Sequence, residues 1–165
     1  MPRQLVLVTE DPAGTRAVAA IVAGALAPGD IVSLAGELGA GKTCFVQGAA
    51  AALGVRERVR SPTFLLRCDY DAAVPVTHLD VYRLEALAEL DDVGLGGRER
   101  VTFIEWGDAA AALLPDARLD VTLELLDPHA PPAEAEARVL TLTGHGVDWA
   151  GRLDDLAGAL AAWRR

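Results

Sequence analysis

A chain of 165 residues has room for one compact domain, residues 1–165, that buries roughly 70% of its unfolded surface, and not for two. Its formal net charge of -9 argues against a general nucleic-acid binder, whose footprint is a basic face. Hydrophobic residues make up 52%, yet charged residues, Gly or Pro break every apolar run before the roughly 18 residues of a membrane span. The opening "MPRQLVLVTEDPAG" is too short and wrongly flanked for a signal peptide, so a cytoplasmic protein with no membrane partner is expected. Cys44 and Cys68 are the only cysteines; they form neither a disulfide framework nor a metal cluster and are expected as reduced, buried thiols.

In chain order, "QLVLVT" (4–9) reads as a strand, and "EDPAGTRAVAAIVAGAL" as a helix capped by Asp11 with Pro12 in its first turn. "DIVSLAG" is an apolar strand and "KTCFVQGAAAAL" the helix after it, closed near Gly54. The basic "VRERVR", with Arg56, Arg58 and Arg60, is either a solvated loop or a contact surface for an acidic partner or an RNA. "SPTFLLRCDY" and "VPVTHLDVY" read as strands, "LEALAELDD" as a short acidic helix, "RVTFIEW" as a strand, and "DAAAALLP" as a helix stopped by Pro115. "RLDVTLELL" and "ARVLTLTG" alternate as a hairpin around the loop "DPHAPPAEAE", and "VDWAGRLDDLAGALAAW" is an amphipathic helix. Strands alternating with helices early and adjacent strands later predict an α/β sandwich with a parallel centre and antiparallel edges.

Residues 36–43, "GELGAGKT", match G-x-x-x-x-G-K-[ST] between an apolar strand and a helix, which is the context that makes the motif a phosphate-binding loop. Gly36, Gly39 and Gly41 allow the backbone N–H groups to turn inward around a phosphate at the positive end of the helix dipole. The run Gly36, Glu37, Leu38, Gly39, Ala40, Gly41, Lys42, Thr43 and Cys44 is therefore the expected nucleotide cradle. Lys42 reaches the β and γ phosphates, and the Thr43 hydroxyl ligates Mg2+. Lys42 is the only lysine beside fourteen arginines; a bulky planar guanidinium is a poor substitute for a compact ammonium in this loop.

The chain contains no Asn, so the N-K-x-D element of guanine-specific proteins is absent and ATP is preferred to GTP. A small-molecule kinase stays open, with the segment around Arg98 and Arg100 as a short lid. Two carboxylates end apolar strands: Glu105 in "VTFIEWGD", the Walker B pattern, suited to hold the metal or orient the attacking water, and Asp80 in "VPVTHLDVY", a second candidate for the metal. Thr63 in "RSPTF" is either an ordinary turn residue or a hydroxyl able to sense a γ phosphate. Trp106 falls on the opposite side from Glu105 unless the strand ends there; it either stacks on the nucleotide or packs a loop. His78 is expected in a satisfied structural role.

In order, "GELGAGKT", "SPTF", "HLDVYRL" and "IEW" together resemble the TsaE family, also called YjeE, small bacterial P-loop ATPases, from about Thr9 to Trp106. The resemblance implies a P-loop sheet, ATP and Mg2+ as cofactors, and a role in placing threonylcarbamoyladenosine next to the anticodon of tRNA. It also implies the TsaB/TsaD pair as partner, with tRNA reached only through that pair and the triphosphate spent on a conformational change. It puts the P-loop glycines, Lys42 and Thr43 on the phosphate and magnesium positions, and Thr63 on a switch-like threonine. Asp80 falls on the site aspartate, Glu105 with Trp106 on the "EW" pair, and Thr9 on the adenine pocket. Asp108 stands where the family usually has Glu, and Cys44 where a hydroxyl residue is common. The C-terminal third carries no motif.

Overall fold

The computed structural model describes residues 2–62, 66–82 and 97–165; the expected acidic helix at 84–92 and the expected switch Thr63 lie outside them. Seven strands form one sheet: β1 (Arg3–Thr9), β2 (Ile31–Ala35), β3 (Arg67–Tyr70), β4 (Val76–Asp80), β5 (Val101–Glu105), β6 (Arg118–Leu125) and β7 (Arg138–His145). Their spatial order is β1-β7-β6-β2-β5-β4-β3. The centre β6-β2-β5-β4 is parallel, while β7 and β3 are antiparallel additions on its two sides. The expected hairpin is the β6–β7 pair. β1 does not join β2: it lies at the far edge, antiparallel to β7, because the half-polar hairpin occupies the place beside β2.

Burial follows position. β4 and β5 are buried at every residue, as strands covered on both faces must be, whereas β6 and β7 alternate between buried and half-exposed. Among the described residues three α-helices cover one face: α1 (Pro12–Ala23), α2 (Lys42–Ala52) and α3 (Val147–Ala159). On α1 the buried residues Thr15, Val18, Ala19, Val22 and Ala23 recur at helical spacing, and full burial of each valine contributes roughly 1.5–3 kcal/mol. The Asp11 carboxylate caps α1 by accepting from the Gly14 N–H at 2.7 Å. Past α2, Gly54 has φ +99°, its N–H donates to Ala51 and that of Val55 to Ala50, a Schellman end that only a left-handed residue closes cheaply.

The opposite face is covered over β5 and β4 by a smaller cluster of Ile31, Leu79, Val81, Ile104, Ala110 and Leu114. Its last two residues belong to "DAAAALLP", which is a 3-10 helix (Gly107–Leu113) and not the expected α-helix. The cause is the approach to β2, where a Cβ on Gly107 would lie 2.0 Å from Ser33 Oγ. A seven-residue segment pinned there closes i→i+3 bonds, Ala109 N–H to Trp106 and Leu114 N–H to Ala111.

Helices α1 and α2 touch backbone to backbone: a Cβ on Gly48 would lie 2.4 Å from the Arg16 carbonyl oxygen. Gly48→Ala is expected to force them apart at a cost of about 1–3 kcal/mol, seen as a fall of several degrees in Tm by calorimetry. Gly151→Ala on α3, with open space around it, is the control and leaves Tm unchanged or slightly raised.

Candidate nucleotide site

Parallel pairing sets the site. Leu34 of β2 is level with Glu105 of β5, and Asp80 of β4 with the same Glu105, so three strands deliver their C-terminal ends to one line, where α/β sheets bind ligands. The period of two then puts His78, Asp80 and Glu105 on the face of Phe103 and Val76, toward α2.

From Ala35 the chain enters the loop "GELGAGKT". Gly36 (φ +152°) passes so close to β6 that a Cβ would stand 2.5 Å from the Leu123 carbonyl oxygen, so no side chain fits. Gly41 caps α2 with φ +107° and no side-chain hydrogen bond, leaving first-turn N–H groups for an anion. Lys42 is 5% exposed. Its Nζ donates to the carbonyls of Gly36 (2.6 Å) and Glu37 (3.0 Å) and lies 3.8 Å from the Trp106 ring centroid. Burial pushes the Lys42 pKa down, against the pull of Glu105, Asp80, Asp108 and Glu37.

The Glu105 carboxylate accepts from Thr43 Oγ1 at 2.8 and 3.0 Å, and its Oε2 is 2.6 Å from His78 Nε2. Asp80 accepts from the Tyr82 N–H through Oδ1 (2.9 Å) and from Ser61 Oγ through Oδ2 (3.2 Å). These groups surround a cavity of about 370 Å³ lined by Lys42, Thr43, Ser61, Asp80, Glu105 and Trp106, among others. A larger cleft of about 680 Å³ on the other side of the loop, toward β6, holds neither Lys42 nor Thr43; the loop lysine and threonine and the strand-end acids line the smaller one.

Most of the residues expected from the sequence thus meet. Trp106 does so because the strand stops at Glu105 and Trp106 turns left-handed, φ 63°, instead of alternating away. Thr9 does not line this cavity: it is fully buried and its hydroxyl is shared with Thr15 at 2.8 Å. Cys44 sits between Pro12 and Arg16 of α1, half-buried like Cys68, not fully buried as expected. Arg100 is no lid. It precedes β5, at the end of the sheet away from the loop, and is tied to Thr77, Tyr70 and Val76. Arg98 is beside Gly29 at that same end. Arg56, Arg58 and Arg60 are exposed.

His78 is more than a satisfied core histidine. It is fully buried on the carboxylate, and its Nδ1 has no hydrogen-bond partner. Its signal was its spacing, two residues before Asp80 in an apolar strand. Ser61 and Arg138, which donates to the loop carbonyls of Gly39 and Ala40, carried no comparable signal.

A mixed sheet with a glycine loop, an uncapped helix start and a strand-end carboxylate on the loop threonine defines a P-loop nucleotide-binding protein. The family model for "Threonylcarbamoyl adenosine biosynthesis protein TsaE" matches residues 9–130, and the chain belongs to the TsaE family. The chain is 39% identical to the "tRNA threonylcarbamoyladenosine biosynthesis protein TsaE" of Bacillus subtilis, over 74% of this chain and 78% of the relative. It is 37% identical to the protein of that name from Streptomyces coelicolor, over 76% and 86%. A crystal structure of Bacillus subtilis YdiB matches with a TM-score of 0.76 at 32% identity, covering 96% of this chain and 97% of that one.

A nucleotide whose phosphates draw Lys42 Nζ away from the indole is expected to change Trp106 emission. The change on adding ADP should vanish in Trp106→Phe while binding of a labelled nucleotide persists.

Proposed function

We propose that the chain is an ATPase of tRNA threonylcarbamoyladenosine biosynthesis, acting in the cytoplasm by ATP binding and hydrolysis on the TsaB/TsaD pair. The observation that carries the chemistry is the Thr43–Glu105 hydrogen bond. It joins the P-loop hydroxyl to the acid that ends the neighbouring strand, the arrangement of a Walker A and Walker B pair. The pathway follows from the names of the relatives, and the TsaB/TsaD pair from the resemblance of the motifs. Leu38 and Tyr82, 85% and 58% exposed at the rim of the phosphate cavity, supply apolar surface for a protein partner.

In this reading Lys42 binds the β and γ phosphates and the first turn of α2 completes the cradle. Thr43, Glu105 and Asp80 would hold Mg2+. The fit rests on hard oxygen donors at the phosphate end of the cavity. Among the described residues no cluster of three or more His, Cys, Asp or Glu side chains forms a metal cage, and magnesium bound through phosphates and one or two carboxylates needs none. When bound, the ion neutralises charge on the transferred phosphoryl group. Glu105, directly on Thr43, takes the metal side. Asp80, on the next strand and braced by Ser61 and the Tyr82 N–H, would share the metal's water shell. Thr63 and Trp106 respond to the γ phosphate, and Cys44, on the cavity wall, borders the nucleotide. The small-molecule kinase alternative loses its lid with Arg98 and Arg100 at the far end of the sheet.

Steady-state ATP hydrolysis with and without the TsaB/TsaD pair tests the proposal. Slow turnover alone and stimulation by the pair are expected; an active pair that leaves the rate unchanged counts against it. Lys42→Ala is expected to weaken ADP binding by about a hundredfold. Glu105→Ala keeps binding and slows turnover by about a hundredfold or more; full activity in that variant sinks the assigned roles. His78→Leu is expected to reduce turnover at saturating ATP with ADP affinity unchanged. His78→Gln, whose amide nitrogen reaches about as far as Nε2, keeps most of the rate.

A further inference from the structure

Arg138 opens β7, opposite Thr9 on β1 and Leu125 on β6, eight residues beyond the segment the TsaE family model matches, which ends at 130. Its guanidinium uses all three nitrogens. Nε donates to the Ala40 carbonyl at 2.8 Å and Nη2 to the Gly39 carbonyl at 3.1 Å, while Nη1 donates to the carbonyls of Ala135 and Ala137. One cation thereby ties the middle of the phosphate loop to the segment entering β7, across 98 residues of sequence. A planar fork with fixed donors can hold two successive carbonyls at once; an ammonium has no such geometry.

Peptide planarity gives the tie a consequence. A carbonyl aimed at the guanidinium sends the next residue's N–H the other way. The Ala40 N–H closes a turn on the Glu37 carbonyl at 3.0 Å, and the Gly41 N–H faces away from Arg138. Lys42 holds the carbonyls of Gly36 and Glu37, so two cations from separate elements fix four carbonyls of a loop whose Gly36, Gly39 and Gly41 all have positive φ. Without them the three glycines leave such a loop wide conformational freedom. The charge also reaches the first turn of α2. Burial pushes the Cys44 thiol up, and the charges of Arg16 and Arg138 oppose that shift.

We propose that Arg138 is a positioning residue for nucleoside di- and triphosphates. It pre-forms the phosphate loop by holding the Gly39 and Ala40 carbonyls outward, and adds positive charge beside the bound phosphates. The proposal rests on the nucleotide reading of the loop. The test is ADP affinity, measured by displacement of a labelled ADP from the full chain, for wild type, Arg138→Met and Arg138→Lys. Amide exchange over 36–41 and Tm are recorded on the same samples.

Wild-type binding is read first, since failure to bind ADP overturns the nucleotide reading itself. Arg138→Met is expected to weaken ADP by about tenfold to a hundredfold, the loss of one or two charge-assisted hydrogen bonds. Exchange over 36–41 should quicken in the free protein, and the ATP KM should rise while kcat at saturation stays within about threefold. Arg138→Lys should recover only part of the affinity. ADP affinity within twofold of wild type in both variants, with a lowered Tm, overturns the proposal and leaves Arg138 as an anchor of the hairpin. Full recovery by lysine also overturns it, because a point charge would then suffice.

Discussion

The site depends on the parallel register of β2, β5 and β4. Because Leu34, Glu105 and Asp80 stand level, the loop that follows one strand meets the acids that end the other two, with no further device needed to bring them together. Sliding β5 by one residue would send Glu105 to the opposite face of the sheet. It would then join Ile104's cluster and lose Thr43. The apolar residues of β4 and β5, buried on both faces, hold that register, so the packing of the core and the placement of the chemistry are one constraint.

Holding so many ionisable groups out of water has its own logic. Lys42, His78, Asp80 and Glu105 are each 5% exposed or less. Burial of that kind is tolerated when every charge has partners. Here the loop carbonyls and the Trp106 ring serve Lys42, Thr43 and His78 serve Glu105, and Ser61 and a backbone N–H serve Asp80. Only the His78 Nδ1 is left unsatisfied among the described residues, which fits an imidazole carrying its proton on Nε2, toward the carboxylate. The partners are short-range and mutual, each group being held by a neighbour in the same cavity wall.

Much of this was legible in the sequence, and the reason is chemical. A phosphate cradle requires glycines and a lysine at fixed spacing, a capped helix requires Asp11 before Pro12, and an acid that meets the loop threonine must end an apolar strand. Each is a local pattern. What escaped is what tertiary pairing decides. β1 shares the strand–helix–strand pattern of a parallel neighbour of β2, yet the hairpin takes that place. "DAAAALLP" has helical composition, yet the contact of Gly107 with Ser33 tightens it to 3-10. Trp106 follows the alternation rule until a left-handed φ suspends it. Arg138 belongs to a stretch without any motif, and its partners in the phosphate loop lie 98 and 99 residues earlier, beyond the reach of any window along the chain.

The two margins of the sheet also have a consequence. β3 is four residues long and carries the Arg67–Asp69 ion pair, while β1 is bridged on its outer side through Leu7 to Arg164, with the Arg165 N–H on the Val6 carbonyl. Neither border offers a long bare row of donors and acceptors, the template on which strands from other molecules add. Sheet-to-sheet growth is thereby discouraged along the described length of both borders.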